Sequence, residues 1–200
     1  MWHDAEQQRS QHVRKHRAIL TSAARLFAER GFHETTIDDI ASELQVTKPT
    51  IYYYVRSKDD ILFQIAHVAI EEINSALAAH DDRNLPADRR LERFIQVYGE
   101  FLLTDYGVCM ATVSDRVLST GKRKELRSIK KDLERQVCTI VDDGRRDGSI
   151  QVQDSRMLVF ALFGALNAIP QWFSPSGALS GTAVISSMAA IFRRAGEPSG

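Results

Sequence analysis

Residues 35–62, TTIDDIASELQVTKPTIYYYVRSKDDIL, constrain the fold more strongly than any other part of the chain. Thr36 is a helix-capping residue type, and Asp38 and Asp39 follow it where negative charge favours the start of a helix. The next apolar residues recur at helical spacing, namely Ile37, Ile40, Ala41 and Leu44. This pattern predicts a short helix with one apolar face.

A second and a third helix are predicted directly downstream. Thr47 can begin a helix after only Gln45 and Val46, and Pro49 lies in its first turn, where a missing N–H costs little. Ser57 is placed to cap the third helix. Two helices joined by so short a turn are typical of the helix-turn-helix, whose second helix enters the major groove of DNA. The alternative is an ordinary helical hairpin with solvated polar ends.

The polar residues at these predicted helix starts are suited to binding DNA. Lysine, threonine and tyrosine side chains can donate hydrogen bonds to phosphate oxygens and base edges. An upstream basic segment without acidic residues would extend that surface; it contains Arg9, Arg14, Lys15 and Arg17, with His12 and His16. The two histidines are four residues apart and could hold a metal ion, but solvated helix residues are the simpler interpretation, so we predict no metal. The predicted DNA contacts are Thr36, Thr47, Lys48, Thr50, Tyr52, Tyr53 and Lys58.

Residues 14–63 resemble the N-terminal domain of the tetracycline-repressor (TetR) family. The resemblance rests on LFAERGF, TTIDDIA, V-T-K-x-T-I-Y-Y-Y and SKDDI, in that order and spacing. It implies an all-α protein with an N-terminal three-helix helix-turn-helix DNA-binding domain and a C-terminal helical ligand-binding and dimerisation domain, about nine helices in all. We place the two domains at residues 10–58 and 59–196.

Two residues depart from the family pattern. Gln45 stands at the turn position that usually holds glycine, which predicts a left-handed backbone costing about 1 kcal/mol. Val55 stands where an aromatic residue usually packs, a change expected to loosen the recognition helix. Ile40, Val46 and Ile51 are predicted to pack inside the domain.

Composition adds limits on function and location. Lys and Arg together number 26, as do Asp and Glu, so any DNA affinity must come from a local basic surface. The N-terminus lacks the apolar run of a signal peptide, which predicts a cytoplasmic protein. Cys109 and Cys138 fit a reducing compartment and are interpreted as structural, although a redox-sensing pair is conceivable. No catalytic motif or cofactor motif is present, and we expect neither an enzyme nor a cofactor.

Beyond residue 60 the chain stays helical in pattern. A connector helix is predicted over residues 58–80, followed by a polar loop at 81–86. Further helices are predicted over 87–105, 108–118 and 122–146, each with one apolar face, and residues 149–152 form a short extended link.

Residues 157–192 contain no charged side chain. The continuous apolar run inside this segment is too short to span a membrane, but a helix that is apolar all round must be covered on all sides. We therefore predict a homodimer in which helices 154–173 and 181–194 form a four-helix interface. The alternative is a buried central helix in a monomer. The predicted interface residues are Phe160, Phe163, Leu166, Met188 and Phe192.

The ligand site is the least constrained part. The segment WFSPSGAL at 172–179 resembles a turn found in TetR-type regulators of fatty-acid and other acyl-CoA catabolism, although a plain packed turn would look the same. Asp115 and Arg116 stand out as charges inside an otherwise apolar predicted helix, where they face solvent or bind a ligand. The predicted ligand-binding residues are Tyr98, Phe101, Tyr106, Met110, Arg116, Asn167 and Trp172.

Together these patterns favour a ligand-responsive repressor. It would bind a palindromic double-stranded operator as a homodimer and leave it when a small apolar effector, such as an acyl-CoA thioester, binds. The alternatives are a multidrug-type repressor sensing cationic or aromatic compounds, a constitutive DNA-binding protein, and a helical enzyme that resembles a helix-turn-helix by accident.

Overall fold

The chain folds into helices, and the computed structural model describes residues 2–79 and 84–195. No strand occurs in that part of the chain, which confirms the all-α prediction. Its ten α-helices are α1 (Trp2–Arg30), α2 (Ile37–Glu43), α3 (Lys48–Tyr52), α4 (Lys58–Ala78), α5 (Ala87–Leu102), α6 (Asp105–Thr112), α7 (Thr120–Asp147), α8 (Ser155–Asn167), α9 (Ile169–Trp172) and α10 (Gly181–Ala195). A short 3-10 helix, Asp115–Val117, lies between α6 and α7.

The helix starts follow the predicted capping chemistry. The Thr36 hydroxyl oxygen accepts from the Asp39 N–H at the start of α2, and the Asp39 carboxylate accepts from the Thr36 N–H, a complete capping box. Ser57 caps α4 by accepting from the Asp60 N–H. Gln45 has a φ of 54°, which confirms the left-handed residue predicted at the turn between α2 and α3.

Helices α1 to α3 and the start of α4 share one apolar core. Ile40 and Ile51 are fully buried, as predicted, and the smaller Val55 is also buried there. Val46 was predicted to pack inside but is 38% exposed, because its backbone N–H closes the turn onto Ala41 while the side chain points outward.

Helix α6 connects the N-terminal helices to the larger helical bundle. It packs against α1 and α4, and also against α5 and α9. The Tyr106 hydroxyl accepts a hydrogen bond from Thr21 (3.1 Å) and points at the Arg17 carbonyl (3.5 Å), both on α1.

Two predicted helices are divided in the structure. The helix expected over 108–118 begins earlier, because Thr104 caps α6 at the Gly107 N–H, and it ends at Thr112, where Val113 turns to extended backbone. The helix expected over 154–173 is interrupted at Ala168, and the short α9 that follows carries Pro170 in its first turn. Proline has no N–H with which to continue the hydrogen bonding of α8. Counting α8 and α9 as one helix gives the expected nine within the described residues.

The remaining boundaries differ by small shifts. The basic segment around residues 9–17 is part of α1 rather than an arm before it. Helix α7 ends at Gly148 in the left-handed conformation. Three predicted features lie partly or wholly outside the described residues. They are the loop at 81–86, the end of the connector helix at 80 and the end of the second domain at 196.

Helix α4 is long and apolar enough to cross a membrane by those criteria alone. Its residues Ile61, Ile65, Ala69 and Ile73 are buried in the protein core instead. These contacts are those of a core helix that joins the two halves of the chain.

Candidate DNA-binding surface and ligand cavity

The recognition helix α3 presents one polar, aromatic face to solvent. Ile51 is fully buried, whereas Tyr52 is 50% exposed and Tyr53 is 74% exposed. Lys48 is also exposed, and the Thr47 and Thr50 hydroxyls lie 2.9 Å apart at the start of the helix. The structure therefore brings five of the seven predicted DNA contacts onto this one short element.

Lys48 forms an exposed ion pair with Asp38 of α2. The Nζ–Oδ2 distance is 2.7 Å, and the hydrogen bond with the Asp38 carboxylate raises the pKa of the Lys48 ammonium. Because both side chains are solvent-exposed, the pair contributes little to stability, and Lys48 can leave Asp38 for another anion at a small cost in free energy.

Thr36 and Lys58 are already occupied by structural contacts. The Thr36 hydroxyl lies 2.6 Å from the Asp39 carboxylate as part of the capping box. The Lys58 ammonium donates to the carbonyl oxygens of Phe32, His33 and Thr35, at 2.7, 3.2 and 2.7 Å. These bonds use all three ammonium donors. In this structure the side chain thus ties α4 to the loop between α1 and α2, and a contact between Lys58 and a DNA phosphate stays a prediction.

The sequence interpretation missed a cluster of rings that braces α3 against α1. The His12 ring lies 5.7 Å from that of Tyr53 and 4.7 Å from that of Tyr54. His16 stacks on Tyr54 and hydrogen-bonds to Gln64 of α4 at 2.6 Å. The signal was present in the sequence as His12 and His16 at helical spacing, but their partners are distant along the chain.

A cavity of about 340 Å³ lies in the helical bundle. Its walls come from α4, α5, α6, α7 and α8, and its lining residues are Ala69, Ile70, Ile73, Tyr98, Phe101, Leu102, Met110, Ala111, Val113, Ser114, Asp115, Lys130, Leu133, Glu134, Phe163 and Asn167. Tyr98, Phe101, Met110 and Asn167 were predicted ligand residues. The Tyr98 hydroxyl donates to Asn167 Oδ1 at 2.8 Å, and burial raises the pKa of Tyr98 to about 12.

Three predicted ligand residues do not line this cavity. Tyr106 is buried between α6 and α1, where its hydroxyl is engaged by Thr21. Arg116 is exposed on the 3-10 helix, because the division of the predicted helix turns it away from the bundle. Trp172 is 52% exposed on α9.

Three charged side chains line the cavity that were not among the predicted ligand-binding residues, namely Asp115, Lys130 and Glu134. The Asp115 carboxylate accepts two hydrogen bonds from the Arg127 guanidinium, at 2.7 and 3.1 Å. These hydrogen bonds lower the pKa of the Asp115 carboxyl. Lys130 and Glu134 lie one helical turn apart on α7 and also line the cavity, although neither belongs to the apolar face predicted for this helix. Burial lowers the pKa of Lys130. Their proximity to Leu133 was the available signal, since neighbours of an inward residue can reach the same cavity.

The charge-free segment exposes an apolar surface on α8, α9 and α10. Met157, Phe160, Trp172 and Ile191 are between 49% and 61% exposed. Two predicted interface residues are corrected, because Leu166 (0%) and Phe192 (7%) are buried within their own chain. Phe163 packs against Phe94 and Tyr98 and lines the cavity, while Met188 is half-buried.

The cysteines are both free thiols. Cys109 is fully buried in α6, and burial raises the pKa of its thiol to about 12. A thiol with so high a pKa is a poor nucleophile, which favours the structural interpretation for Cys109.

A helix-turn-helix unit joined by a connector helix to a bundle with an internal cavity defines a two-part, helical, DNA-binding regulator. Residues 19–65 match the family described as bacterial regulatory proteins, tetR family. Residues 84–195 match the tetracyclin repressor-like C-terminal domain. The chain therefore belongs to the tetR family of transcriptional regulators.

Curated relatives differ in how much of the chain they share. The Fatty acid metabolism regulator protein of Bacillus subtilis (strain 168) is 23% identical over 155 residues, 76% of this chain and 80% of that protein. The HTH-type transcriptional regulator EthR of Mycolicibacterium smegmatis is 31% identical over 83 residues, 40% of this chain and only 38% of that protein. The second match thus spans little more than a third of the relative.

Solved structures share the whole fold. A TetR family regulator, PfmR from Thermus thermophilus, has a TM-score of 0.78 at 24% identity, covering 88% of this chain and 97% of that one. AibR in complex with isovaleryl coenzyme A and operator DNA has a TM-score of 0.79 at 21% identity, covering 88% and 96%. At identities below 25%, this structural similarity supports the fold and does not identify a ligand or an operator for this chain.

Proposed function

We propose that this protein is a cytoplasmic repressor that binds a palindromic operator as a homodimer and is released by an acyl-CoA thioester. The observation that carries the proposal is the cavity, which is apolar at one end, carries charged groups at the other, and touches α6. Residues 10–58 would form the DNA-binding domain and residues 59–196 the effector-binding and dimerisation domain.

The proposed DNA contacts are the exposed residues of the α3 surface, Thr47, Lys48, Thr50, Tyr52 and Tyr53. Thr36 and Lys58 support these residues by fixing the α2 start and the loop before it. The basic side chains of α1 near residues 9–17 extend the positive surface alongside α3, since His12 contacts Tyr53. Phosphate contacts of this kind supply affinity, and contacts to base edges supply specificity.

The proposed effector has an apolar acyl chain. Ile73, Phe101 and Leu102 line the cavity with apolar surface, and Lys130 offers an ammonium at its polar end. Neither a hydrogen bond nor an ion pair within 4 Å holds that ammonium in the described residues, so it can donate to a thioester carbonyl. The names of two relatives, a fatty acid metabolism regulator and a complex with isovaleryl coenzyme A, support this chemistry.

The proposed dimer uses the apolar surface of α8 to α10. Met157, Phe160, Trp172 and Ile191 are exposed on these helices, and exposed apolar side chains in such number are typical of a protein–protein interface. Two copies related by a two-fold axis would set their α3 helices about 34–36 Å apart, one turn of DNA.

The proposed switch runs through α6. Met110 and Ala111 line the cavity, while Tyr106 on the same helix is held to α1 by Thr21. A ligand that moves α6 would therefore move α1 and α3 together. Coupling of this type is typically worth about 1–3 kcal/mol, or roughly 5- to 150-fold in operator affinity.

A direct test begins by selecting the preferred operator from a random DNA pool with the full-length protein. Fluorescence anisotropy of that operator complex is then followed during titration with acyl-CoA thioesters of increasing chain length. We expect a near-palindromic site and release by thioesters. Selection of no site would overturn the regulator proposal, and an intact complex with every thioester would overturn the effector class.

A second effector class is favoured by one observation. Glu134 lines the cavity, and a carboxylate there could attract a cationic aromatic compound, as in a multidrug-type repressor. Asp115 is less available, because Arg127 already binds it through two hydrogen bonds. Release of the operator by cationic dyes but not by thioesters would establish this alternative.

A further inference from the structure

A groove lined by cations runs along the outer face of α7 beside the cavity. Its volume is about 480 Å³, and its lining residues are Thr120, Arg123, Lys124, Arg127, Ser128 and Lys131. No carboxylate is among them. Within the described part of the chain, Arg123, Lys124 and Lys131 form no ion pair within 4 Å, and the Arg123 guanidinium is attracted only at longer range, by the Asp115 carboxylate. We name this surface the α7 basic groove.

The α7 basic groove and the cavity share one wall. Asp115 lines the cavity and Arg127 lines the groove, and their side chains are joined by two hydrogen bonds. Lys130 faces the cavity, and the next residue, Lys131, faces the groove. The Arg127 side chain is 55% exposed, so this wall reaches the surface. A ligand that leaves the polar end of the cavity would therefore arrive at the groove.

The size of the cavity limits what can be enclosed. Ligand sites commonly measure about 300–1,000 Å³, and 340 Å³ is near the lower end of that range. An acyl chain fits such a space, but a large, multiply charged head group must stay outside. Arginine, lysine and hydroxyl side chains are the groups that bind phosphate oxygens in proteins.

We propose that the α7 basic groove binds the phosphate groups of coenzyme A while the acyl chain occupies the cavity. This inference rests on the proposed effector class and adds a second site to it. Arg123, Lys124 and Lys131 bind the phosphates, and Thr120 and Ser128 donate hydroxyl hydrogen bonds. Lys130, at the shared wall, lies where the thioester passes from the cavity to the groove.

The test compares ligands with and without the phosphate-bearing head group of coenzyme A. Acyl-coenzyme A and acyl-pantetheine are matched pairs with the same acyl chain and thioester, and butyryl, octanoyl and lauroyl pairs cover the chain length. Binding to the full chain is measured by calorimetry at low and high salt. The groove variant carries Arg123→Gln, Lys124→Gln and Lys131→Gln. The control variant carries Arg135→Gln, Arg145→Gln and Arg146→Gln, which removes three charges from the same helix outside the groove.

We expect the wild-type protein and the control variant to prefer acyl-coenzyme A, with a preference that weakens in high salt. The groove variant should lose about eightfold in affinity for acyl-coenzyme A, about twofold for each exposed contact. Its affinity for acyl-pantetheine should be unchanged, which also shows that the variant is folded.

Three results would overturn the inference while leaving the proposed thioester effector in place. The first is equal wild-type affinity for both members of a pair, with operator release by both; the proposed thioester effector would then stand without the groove. The second is a groove variant that keeps its preference for acyl-coenzyme A. The third is weakened operator binding by the ligand-free groove variant, which would make the groove a DNA surface. Binding of neither compound removes the thioester effector and this inference together.

Discussion

At the scale of single residues, a glycine at each end of α7 distinguishes the effect of backbone conformation from the effect of packing: Gly121 lies in its first turn and Gly148 directly follows its last residue. A methyl group added at Gly121 or at Gly148 would meet no atom within 4 Å. The backbone of Gly148 has a φ of 80°. Only the left-handed backbone at Gly148 opposes a side chain.

Gly148→Ala should therefore destabilise the protein by about 1 kcal/mol. Gly121→Ala is the matched control and should stabilise it by about 0.5 kcal/mol, because alanine favours helix. Urea unfolding at one fixed protein concentration measures both, since stability of a dimer depends on concentration. Equal effects of the two substitutions would contradict the argument.

Lys130 carries a charge that is costly in the ligand-free protein. Because burial lowers its pKa below the ordinary 10.5, the folded state binds this proton less tightly than the unfolded state. Below the pKa of Lys130 in the folded state, the charged side chain lowers the free energy of unfolding by its full amount. This loss shrinks as pH rises from the folded-state pKa to the unfolded-state pKa, and above that value it is absent.

Lys130→Met should stabilise the ligand-free protein at neutral pH, by about 0.5–2 kcal/mol. This advantage over the wild type should shrink as pH rises into the alkaline range. Lys131→Met, at the adjacent exposed position, should change stability by less than about 0.5 kcal/mol. A Lys130→Met advantage that stays constant with pH would show that packing, and not charge, is its cause.

At the scale of secondary structure, α3 is too short to hold its own orientation. It has five residues, Lys48–Tyr52, and only Ile51 of them is buried. Isolated helices of this length are unstable in water. The His12 contacts with Tyr53 and Tyr54, and the Lys58 hydrogen bonds to the preceding loop, supply the tertiary support that the helix lacks.

Tyr53→Phe should weaken operator binding by about fivefold, the cost of about one hydrogen bond. The ring and its contacts with His12 and Tyr54 are retained, so the loss isolates the hydroxyl. Tyr54→Phe is the control, because that ring packs between His12 and His16 of α1 and is not among the proposed DNA contacts, so operator affinity should be unchanged. Anisotropy titrations of the selected operator give both values, and equal losses would remove Tyr53 from the proposed contacts.

Lys48→Ala should weaken binding to specific and nonspecific DNA alike. If its ammonium neutralises a phosphate, the slope of log affinity against log salt should fall by about one. Salt titrations of the wild type and the variant measure the slope. An unchanged slope would mean that Lys48 serves only to pair with Asp38.

At the scale of the whole molecule, the proposed dimer surface is defined by what remains exposed after the chain has folded. Met157, Phe160 and Ile191 are exposed, whereas Leu166 and Phe192 are already buried. Substitution of the buried pair would damage the protomer rather than test association. Phe160 is therefore the informative position.

Phe160→Glu should convert the proposed dimer to a monomer at micromolar concentration, because it removes an exposed apolar ring and would bury a carboxylate at the interface. The guanidinium of Arg156, which lies over the Phe160 ring at 5.9 Å, offsets only part of that cost. Leu85→Glu introduces the same charge at another exposed apolar residue and should remain dimeric. Light scattering measures the mass of each. A dimeric Phe160→Glu variant with wild-type affinity would place the interface elsewhere.

Features set by neighbouring residues could be predicted from the sequence alone. The caps at Thr36 and Ser57, the left-handed Gln45 and the helical pattern downstream depend on interactions within a few positions along the chain. The family resemblance rests on the same local motifs. For these features the sequence itself contains both partners of each interaction.

The tertiary structure decided which face of each helix is covered and which long side chains meet. A periodic apolar pattern shows that Leu166 and Phe160 are hydrophobic, but only packing shows that the first is buried in the protomer and the second is exposed. Lys58 satisfies carbonyls more than 20 residues away, and Lys130 turns toward a cavity built by five helices. Such contacts join residues that are distant in sequence, and a long flexible side chain can reach several alternatives. Its partner is therefore chosen by the geometry of the assembled helices.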